Sequence, residues 1–177
     1  MAEIVRRFEF EITPQEHNAI TRLRNDCFDS CTRERSYFKQ LPHFRYLAVE
    51  NSEIVGMVGV DHRMISIDGC EFSIFGIIDL CVAQSQRGKG IAASLINAID
   101  AQARISGIDF LVLIADNHAF YSKFGFELRN NYCTWLRIND FKNYGIAFEK
   151  LDRELMSKCL NGKEWPGGML DFLGYLF

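Results

Sequence analysis

The chain has 177 residues, of which 48% are hydrophobic and 24% charged, with a formal net charge of −3. This length and composition predict a globular domain with a core and exclude a disordered or low-complexity chain. The slight negative charge gives no sign of a nucleic-acid partner, and the longest apolar run, Phe110–Ala115, is far too short to cross a membrane.

The first half of the sequence predicts two helices and four strands. The strands follow from alternation of polar and apolar residues. Thr13-Pro14 is typical of a helix start, with Thr as the cap and Pro in the first turn. Asp68-Gly69 predicts a tight hairpin turn, whose central residues need positive φ. In chain order these elements are a strand at Val5–Ile12, helices at Gln15–Cys27 and Cys31–Gln40, and strands at Arg45–Glu50, Ile54–Ile67 and Cys70–Val82, the last with a bulge at Gly76.

Helical periodicity replaces alternation in the second half of the sequence. In Gly90–Ile105 the apolar residues recur at helical spacing, which is typical of an amphipathic helix. Phe110–Ala115 is bounded by Asp109 and Asp116 and predicts a buried parallel strand. The remaining predicted elements are a short helix at His118–Lys123 and strands at Phe126–Arg129 and Cys133–Ile138.

The tail, residues 139–177, is ambiguous. Leu151, Leu155 and Cys159 have helical spacing, whereas Leu155–Leu160 could equally form a strand. A meander of strands followed by strand–helix–strand predicts an α+β fold with a mixed sheet. We therefore expect a single domain over residues 1–177, with a core at 4–138 and a tail that completes the sheet.

The cysteines and the start of the chain indicate a cytoplasmic protein. Residues 1–7 are too charged for a signal peptide. Cys27 and Cys31 stand one helical turn apart and could ligate a metal, but no second pair or nearby His completes such a site, so no metal is expected. The 6 Cys are then thiols, at positions Cys27, Cys31, Cys70, Cys81, Cys133 and Cys159.

The segment after Val82 contains the residues that indicate a binding site. A polar loop leads into Arg87-Gly88-Lys89-Gly90-Ile91-Ala92, which opens directly into a predicted helix. Glycines at a helix N-terminus let a ligand approach amide N–H groups that have no helical partner, and the helix dipole adds positive charge there. With Arg87 and Lys89 beside it, this pattern predicts a pyrophosphate cradle. The alternative is that the glycines only allow tight strand–helix packing.

Two other phosphate-binding patterns fit this segment less well. No Gly-x-x-x-x-Gly-Lys-Ser/Thr occurs, which excludes a Walker loop. Gly88-x-Gly90-x-x-Ala93 followed by Asp116 matches the dinucleotide fingerprint, but five residues separate Val82 from Gly88 and the preceding strands form hairpins, unlike a doubly wound sheet. A small NAD-binding oxidoreductase therefore stays the less favoured alternative.

Three stretches of the sequence resemble the GNAT superfamily of N-acyltransferases. Arg87–Ala92 meets the signature Gln/Arg-x-x-Gly-x-Gly/Ala, and Leu80–Val82 is similar to the family's pantetheine strand. Ala119–Phe126 is similar to its Ala-x-x-Phe-Tyr-x-x-x-Gly-Phe region, with a shorter spacing between Ala and Phe-Tyr. The ending, Trp165–Phe177, resembles tails of the branch near the aminoglycoside 2′-N-acetyltransferases. The resemblance implies a GNAT-like, mostly antiparallel sheet flanked by helices on both faces, with a splayed parallel strand pair that holds the cofactor.

The resemblance also implies a co-substrate and a reaction. Acetyl-CoA, or another acyl-CoA, would donate its acyl group to a primary amine that attacks directly in a ternary complex. The acceptor would be a small molecule, and a homodimer is possible as a family habit. A CoA-binding module without turnover is the alternative. The implied cofactor-binding residues are Leu80, Cys81, Val82, Arg87, Gly88, Lys89, Gly90, Ile91, Ala92 and Ala93.

Acyl transfer to an amine needs a proton acceptor, because an amine of pKa near 10.4 is almost wholly protonated at pH 7. Asp79 is the best-placed carboxylate, three residues before Val82 on the strand that the resemblance assigns to the cofactor. Tyr121 matches the tyrosine that protonates the leaving thiolate in the family. Lesser candidates for the base are Glu71, Asp61 and His62. The acceptor stays open among a small amine, an amino acid, an aminoglycoside and a protein N-terminus.

Overall fold

The computed structural model describes residues 2–28 and 33–177. The chain divides into two compact units, and each is described by itself. The first comprises Met1–Asp61 and Ile78–Gln102, and the second comprises His62–Ile77 and Ala103–Phe177. Two long strands and one helix contribute residues to both units.

The first unit is an antiparallel sheet with one helix on each face. β1 (Glu3–Phe8) pairs with β2 (Phe44–Glu50), and β2 pairs with the first part of β3 (Glu53–Ile67), all antiparallel. The unit also contains α1 (Pro14–Cys27), the end of β4 (Cys70–Val82) and most of α2 (Ile91–Ile105).

Alternation along β2 and β3 places the two helices on opposite faces of this sheet. Ile20 and Leu23 of α1 pack in one cluster with Leu47, Met57 and Cys81. On the other face, a Cβ built at Gly56 would lie 2.9 Å from Ile91 Cγ2 of α2 and 3.3 Å from the Ala48 Cβ. The absence of a side chain at Gly56 therefore lets the start of α2 lie close to β3.

The start of α1 agrees with the prediction. Thr13 Oγ1 accepts a hydrogen bond from Glu16 N at 3.2 Å, and Glu16 Oε2 accepts one from Thr13 N at 2.8 Å, with Pro14 in the first turn. The Thr13 backbone N–H holds the pKa of Glu16 below its usual value. This reciprocal cap fixes where the helix begins.

Two predictions for the first unit are corrected. The strand predicted at Val5–Ile12 ends at Phe8, and a short 3-10 turn, Glu9–Glu11, follows it. The helix predicted at Cys31–Gln40 is absent from residues 33–40, and Cys31 lies outside the described residues. Side chains bond the backbone there instead: Arg35 Nη2 donates to Phe38 O at 2.7 Å, and Asn25 Oδ1 accepts from Arg33 N at 3.0 Å. Such bonds compete with helical hydrogen bonding.

The second unit is a mixed sheet whose further elements are β5 (Phe110–Ile114), α3 (His118–Ser122), β6 (Glu127–Leu128), β7 (Tyr132–Asn139), β8 (Lys142–Lys150), β9 (Leu155–Cys159) and β10 (Met169–Tyr175). Its strand order is β6-β9-β5-β4-β3-β10-β7-β8. β5 pairs with β4 in parallel from Phe110 opposite Ile74 to Val112 opposite Gly76, and β10 pairs with β7 in parallel, while most other neighbours are antiparallel. The predicted α+β class with a mixed, mostly antiparallel sheet is confirmed.

The tail is built of strands, which resolves its ambiguity. Leu155–Cys159 forms β9 and pairs with β5, and Met169–Tyr175 forms β10, which lies between β3 and β7. β8 was not predicted. Its side chains are exposed except for Ala147, so it lacks the alternation of burial that marks most half-buried strands.

Gly76 makes room for the last aromatic ring of the chain. The predicted bulge at Gly76 is replaced by regular pairing with Val112, and the left-handed backbone of β4 falls at Asp79, with φ of 50°. A Cβ built at Gly76 would lie 2.5 Å from Phe177 Cε1, a distance that real Cβ atoms do not show. A side chain at position 76 would therefore displace the Phe177 ring, while the dihedral angles of Gly76 themselves do not require glycine.

Replacing Gly76 with alanine is expected to lower the free energy of unfolding by about 1–3 kcal/mol, the usual effect of overpacking. Urea denaturation measures it. In a Phe177→Ala background the same substitution should cost much less, because the ring no longer meets the new methyl group. Gly167→Ala is the matched control, since a Cβ there has no neighbour within 4 Å. An equal loss from Gly76→Ala with and without the Phe177 ring would contradict this account.

Candidate functional site

The loop between β4 and α2 is shaped by two glycines. Ala83 N donates to Val55 O at 2.9 Å, which holds the loop at the end of β4, and a 3-10 turn at Gln84–Gln86 follows. Gly88 and Gly90 have φ of 76° and 81°, in the region that favours glycine. A Cβ at either position would have no atom within 4 Å. A side chain there would stand in the open space in front of the backbone.

Within residues 2–28 and 33–177, the amide N–H groups from Gly88 to Ala93 donate no hydrogen bond to another residue. The first bond of α2 runs from Ser94 N to Gly90 O at 3.0 Å. Donors of this kind at the positive end of a helix dipole bind anions. The loop therefore fits the diphosphate that the sequence predicts for it.

The side chains beside these amides are positively charged, like the N-terminal end of the helix dipole. Arg87 and Lys89 are exposed, and the first turn of α2 has no acidic residue. Arg87 Nε donates to Val82 O at 3.2 Å, and Lys89 Nζ donates to Gln86 Oε1 at 2.7 Å. These bonds hold both side chains along the loop, so their charges add to the field of the helix terminus.

Asp79 is held by a buried arginine of α1. Arg24 Nε donates to Asp79 Oδ2 at 2.6 Å, and the Arg24 side chain is only 2% exposed. The Arg24 guanidinium also lies 5.6 Å from the ring centroids of Phe28 and Phe38. The ion pair ties α1 to the left-handed residue of β4. The role of Asp79 as a base stays a prediction.

Cys27 of α1 and Cys81 of β4 belong to one apolar cluster. Cys27 Sγ donates to Val82 O at 3.5 Å, and Cys81 Sγ donates to Asp79 O at 3.2 Å. Arg87 Nη2 lies 3.8 Å from Cys27 Sγ. The neighbouring Cys81 and Arg87 lower the pKa of the Cys27 thiol to about 6, while proximity to Cys27, together with burial, raises the pKa of Cys81. Nothing in the sequence indicates that positions 27 and 81 share a cluster.

His43 and Asp61 form a pair that sequence analysis missed. β2 and β3 pair Phe44 with Val60, so the next residues outward, His43 and Asp61, lie opposite each other. His43 Nδ1 is 3.3 Å from Asp61 Oδ1, with the carboxylate fully buried and the histidine side chain 56% exposed. Only the strand register could have indicated this pair. Of the other base candidates, Glu71 is exposed and His62 packs edge-on against Phe75.

Tyr121 lies in the second unit, on α3. Asn117 Oδ1 accepts a hydrogen bond from Phe120 N at 3.3 Å and caps this short helix. The Tyr121 ring is half-buried, with its centroid 5.0 Å from that of Phe120 and 5.9 Å from that of Phe126. Packing thus fixes the ring, while its role as an acid stays a prediction.

A cavity of about 920 Å³ in the first unit lies along α1, β1 and the start of β3 and reaches Ala83, just after β4. Its charged lining residues are four acids and two arginines: Glu3, Glu16, Asp26, Glu53, Arg7 and Arg22. A negative lining repels a diphosphate. The charge of this lining does not favour the cavity as a diphosphate site.

Residues 2–28 and 33–177 contain no group of three or more His, Cys, Asp or Glu side chains that could hold a metal ion. No helix in this described part of the chain has the length and apolar character needed to span a bilayer.

Comparison with known protein families identifies the family to which this chain belongs. Residues 10–129 match the model of the acetyltransferase (GNAT) domain, and this match covers more than half of the chain. The protein therefore belongs to the GNAT acetyltransferase family. A comparison with curated proteins gives no significant match.

Solved GNAT structures share the fold. The chain is similar to the GNAT family N-acetyltransferase YhbS from Escherichia coli in complex with CoA, with a TM-score of 0.66 and 19% identity over 97% of this chain and 90% of that one. A GNAT family acetyltransferase from Brucella melitensis in complex with acetyl-CoA has a TM-score of 0.59 and 19% identity, covering 95% and 94% of the two chains. Escherichia coli ElaA has a TM-score of 0.61 and 19% identity, covering 89% of this chain and 99% of that one.

Proposed function

We propose that the protein is an N-acetyltransferase that transfers the acetyl group of acetyl-CoA to a primary amine by direct attack in a ternary complex. The observation that carries the proposal is the row of amides from Gly88 to Ala93, which have no partner among the described residues. Membership of the GNAT family and the CoA and acetyl-CoA complexes of similar structures support acetyl-CoA as the co-substrate.

In this proposal, CoA is held by main-chain groups. The amides of residues 88–93, with Arg87 and Lys89, bind the diphosphate. Main-chain groups of Leu80–Val82 pair with the pantetheine amides like an added strand. Main-chain recognition of this kind needs glycines and a strand end rather than particular side chains, so it agrees with the low sequence identity to the similar structures.

The chemical step joins the amine nitrogen to the acetyl carbon and breaks the carbon–sulfur bond. The amine loses a proton and the CoA thiolate gains one. A positioned base contributes about 10²- to 10⁴-fold to such a step. We propose Asp79 for the first proton and Tyr121 for the second. His43 with Asp61 is a second candidate base, favoured by the 3.3 Å contact between an exposed imidazole and a buried carboxylate.

The purified protein mixed with acetyl-CoA and an acceptor is expected to release CoA thiol, measured with a thiol reagent and confirmed by the acetylated product in a mass spectrum. The acceptors to compare are a small amine, an amino acid, an aminoglycoside and a peptide with a free N-terminus. The aminoglycoside tests the resemblance of the chain ending to the 2′-N-acetyltransferase branch.

Three outcomes separate this proposal from its alternatives. Acetylated amine with one thiol released per product supports it. Saturable CoA binding without thiol release from any acceptor would favour a CoA-binding module. Binding of NAD in place of CoA would overturn the assignment of the loop.

A further inference from the structure

An exposed apolar patch lies on the outer face of β10, β7 and β8 in the second unit. Pairing places Cys133 opposite Leu170 and Trp135 opposite Ala147, and these four side chains lie in the core. Because side chains alternate along a strand, the residues between them face away from the core. The large, exposed apolar residues of this face form what we call the outer patch: Tyr132, Tyr144, Ile146, Phe148 and Met169.

The side chains of the outer patch are exposed, yet they contact one another. Their exposed fractions are 52% for Tyr132, 54% for Tyr144, 66% for Ile146, 59% for Phe148 and 48% for Met169. The rings of Tyr132 and Phe148 are stacked, with centroids 5.5 Å apart and planes inclined by 10°. The stacked rings therefore present a preformed apolar surface at the middle of the face.

The area of the outer patch matches the apolar part of a stable interface. A large aromatic side chain has about 150–250 Å² to bury, so the three half-exposed rings present about 250–400 Å². Ile146 and Met169 bring the apolar area to about 500 Å². A standard interface takes about 800 Å² from each partner, of which roughly 56–65% is apolar. One copy of the patch thus supplies the apolar area that one side of a dimer needs.

The charges on this face have both signs, so a second copy is not repelled. Lys150 Nζ lies 3.3 Å from Asp152 Oδ2, and Asp171 pairs with Thr134 on the same face as the patch. A partner of strong single-sign charge would need a complementary field, which this face lacks. An apolar face with balanced charge is complementary to itself.

The edge of β8 is less suited to self-association than the face. Within the described residues, β8 pairs only with β7 and leaves its other edge open. Antiparallel pairing of two such edges about the middle residue, Ile146, would place Lys142 of one copy opposite Lys150 of the other. Like charges directly opposite each other destabilise strand pairing, and lysines on an edge strand are a common barrier to it.

We propose that the outer patch is a homodimer interface, on which a second copy of this chain docks face to face about a two-fold axis. In such an interface every residue contributes twice, once from each copy. The stacked rings of Tyr132 and Phe148 lie at its centre, where aromatic side chains contribute most to binding. This inference does not rest on the proposed acetyl transfer.

Sedimentation equilibrium of the full chain at micromolar concentration tests the proposal. The mass is expected to be twice 20.4 kDa. Phe148→Glu should raise the dissociation constant at least about 100-fold, because the dimer would bury two unpaired carboxylates. Phe10→Glu is the matched control. Phe10 is 85% exposed and lies in the first unit, so this variant should stay dimeric.

Footprinting with hydroxyl radicals locates the interface in the unchanged protein. Labelling of Tyr132, Phe148 and Met169 should fall severalfold between concentrations below and above the dissociation constant. Labelling of Phe10 should stay constant. This measurement needs no substitution, so it stays decisive if circular dichroism shows that the Phe148→Glu protein is unfolded.

A chain that stays monomeric throughout the micromolar range would overturn the proposal and leave the patch to a different partner. A folded Phe148→Glu protein that dimerises as well as the original would also overturn it, as would a dimer that protects Phe10 but not the outer patch. Acetyl transfer is measured separately. A dimer without acetyl transfer would contradict the proposed function and leave the interface standing.

Discussion

Replacing Gly90 with valine is expected to weaken CoA binding at least about 100-fold, as measured by calorimetric titration. The residue has φ of 81°, and its O atom accepts the first hydrogen bond of α2. Valine disfavours this backbone conformation and places two methyl groups in front of the amides. Loss of two hydrogen bonds to a charged diphosphate is worth about 3 kcal/mol, which corresponds to roughly 100-fold in affinity.

Gly69→Val is the matched control for this substitution. Gly69 has φ of 80° at the turn between β3 and β4, and a Cβ there also has no atom within 4 Å. Both variants should therefore lose similar stability from backbone strain, about 1–3 kcal/mol, while only Gly90→Val loses CoA. Equal CoA affinity in the two variants would show that the amides near Gly90 do not bind the diphosphate.

Replacing Asp79 with asparagine is expected to lower the free energy of unfolding by about 3 kcal/mol. Arg24 is 2% exposed, and the substitution removes the carboxylate that accepts its 2.6 Å hydrogen bond. A buried charge that loses its counter-ion costs about 3–5 kcal/mol, and the remaining amide oxygen retains part of the interaction. Urea denaturation gives the change, and acetyl transfer is measured on the folded fraction.

The double variant Arg24→Met with Asp79→Asn separates structure from chemistry. Removing both charges should restore much of the stability that either single change loses, because no uncompensated charge stays in the core. If the double variant is stable and still transfers acetyl groups, the main role of Asp79 is to anchor α1. If it is stable and inactive, Asp79 acts in the reaction. An Asp79→Asn protein as stable as the original would contradict the structural role of the ion pair.

Features set by local sequence could be predicted. Thr13-Pro14 starts α1 because the cap involves neighbours three residues apart, and Asp68-Gly69 turns the chain because its backbone angles suit those residues. The loop for which we propose phosphate binding belongs to this class, since its glycines and the helix start lie within one short segment. Family membership confirms the resemblance that this segment indicated.

Features set by distant contacts could not be predicted. The hydrogen bonds of Arg24 with Asp79 and of Cys27 with Val82 join α1 to β4, and the partners in each bond are 55 residues apart. The pairing of His43 with Asp61 needs the register of β2 against β3. The tail was ambiguous because β9 and β10 are defined by the strands they pair with rather than by their own periodicity.

If the amides at the start of α2 hold the diphosphate of CoA, a titration of the ¹⁵N-labelled protein with CoA, followed by amide chemical shifts, will show it directly. We expect the resonances of Gly88 to Ala93 to move together and saturate, with ADP, which carries the diphosphate without the pantetheine arm, reproducing most of the effect. Saturable CoA binding that leaves these six amides unmoved would contradict it.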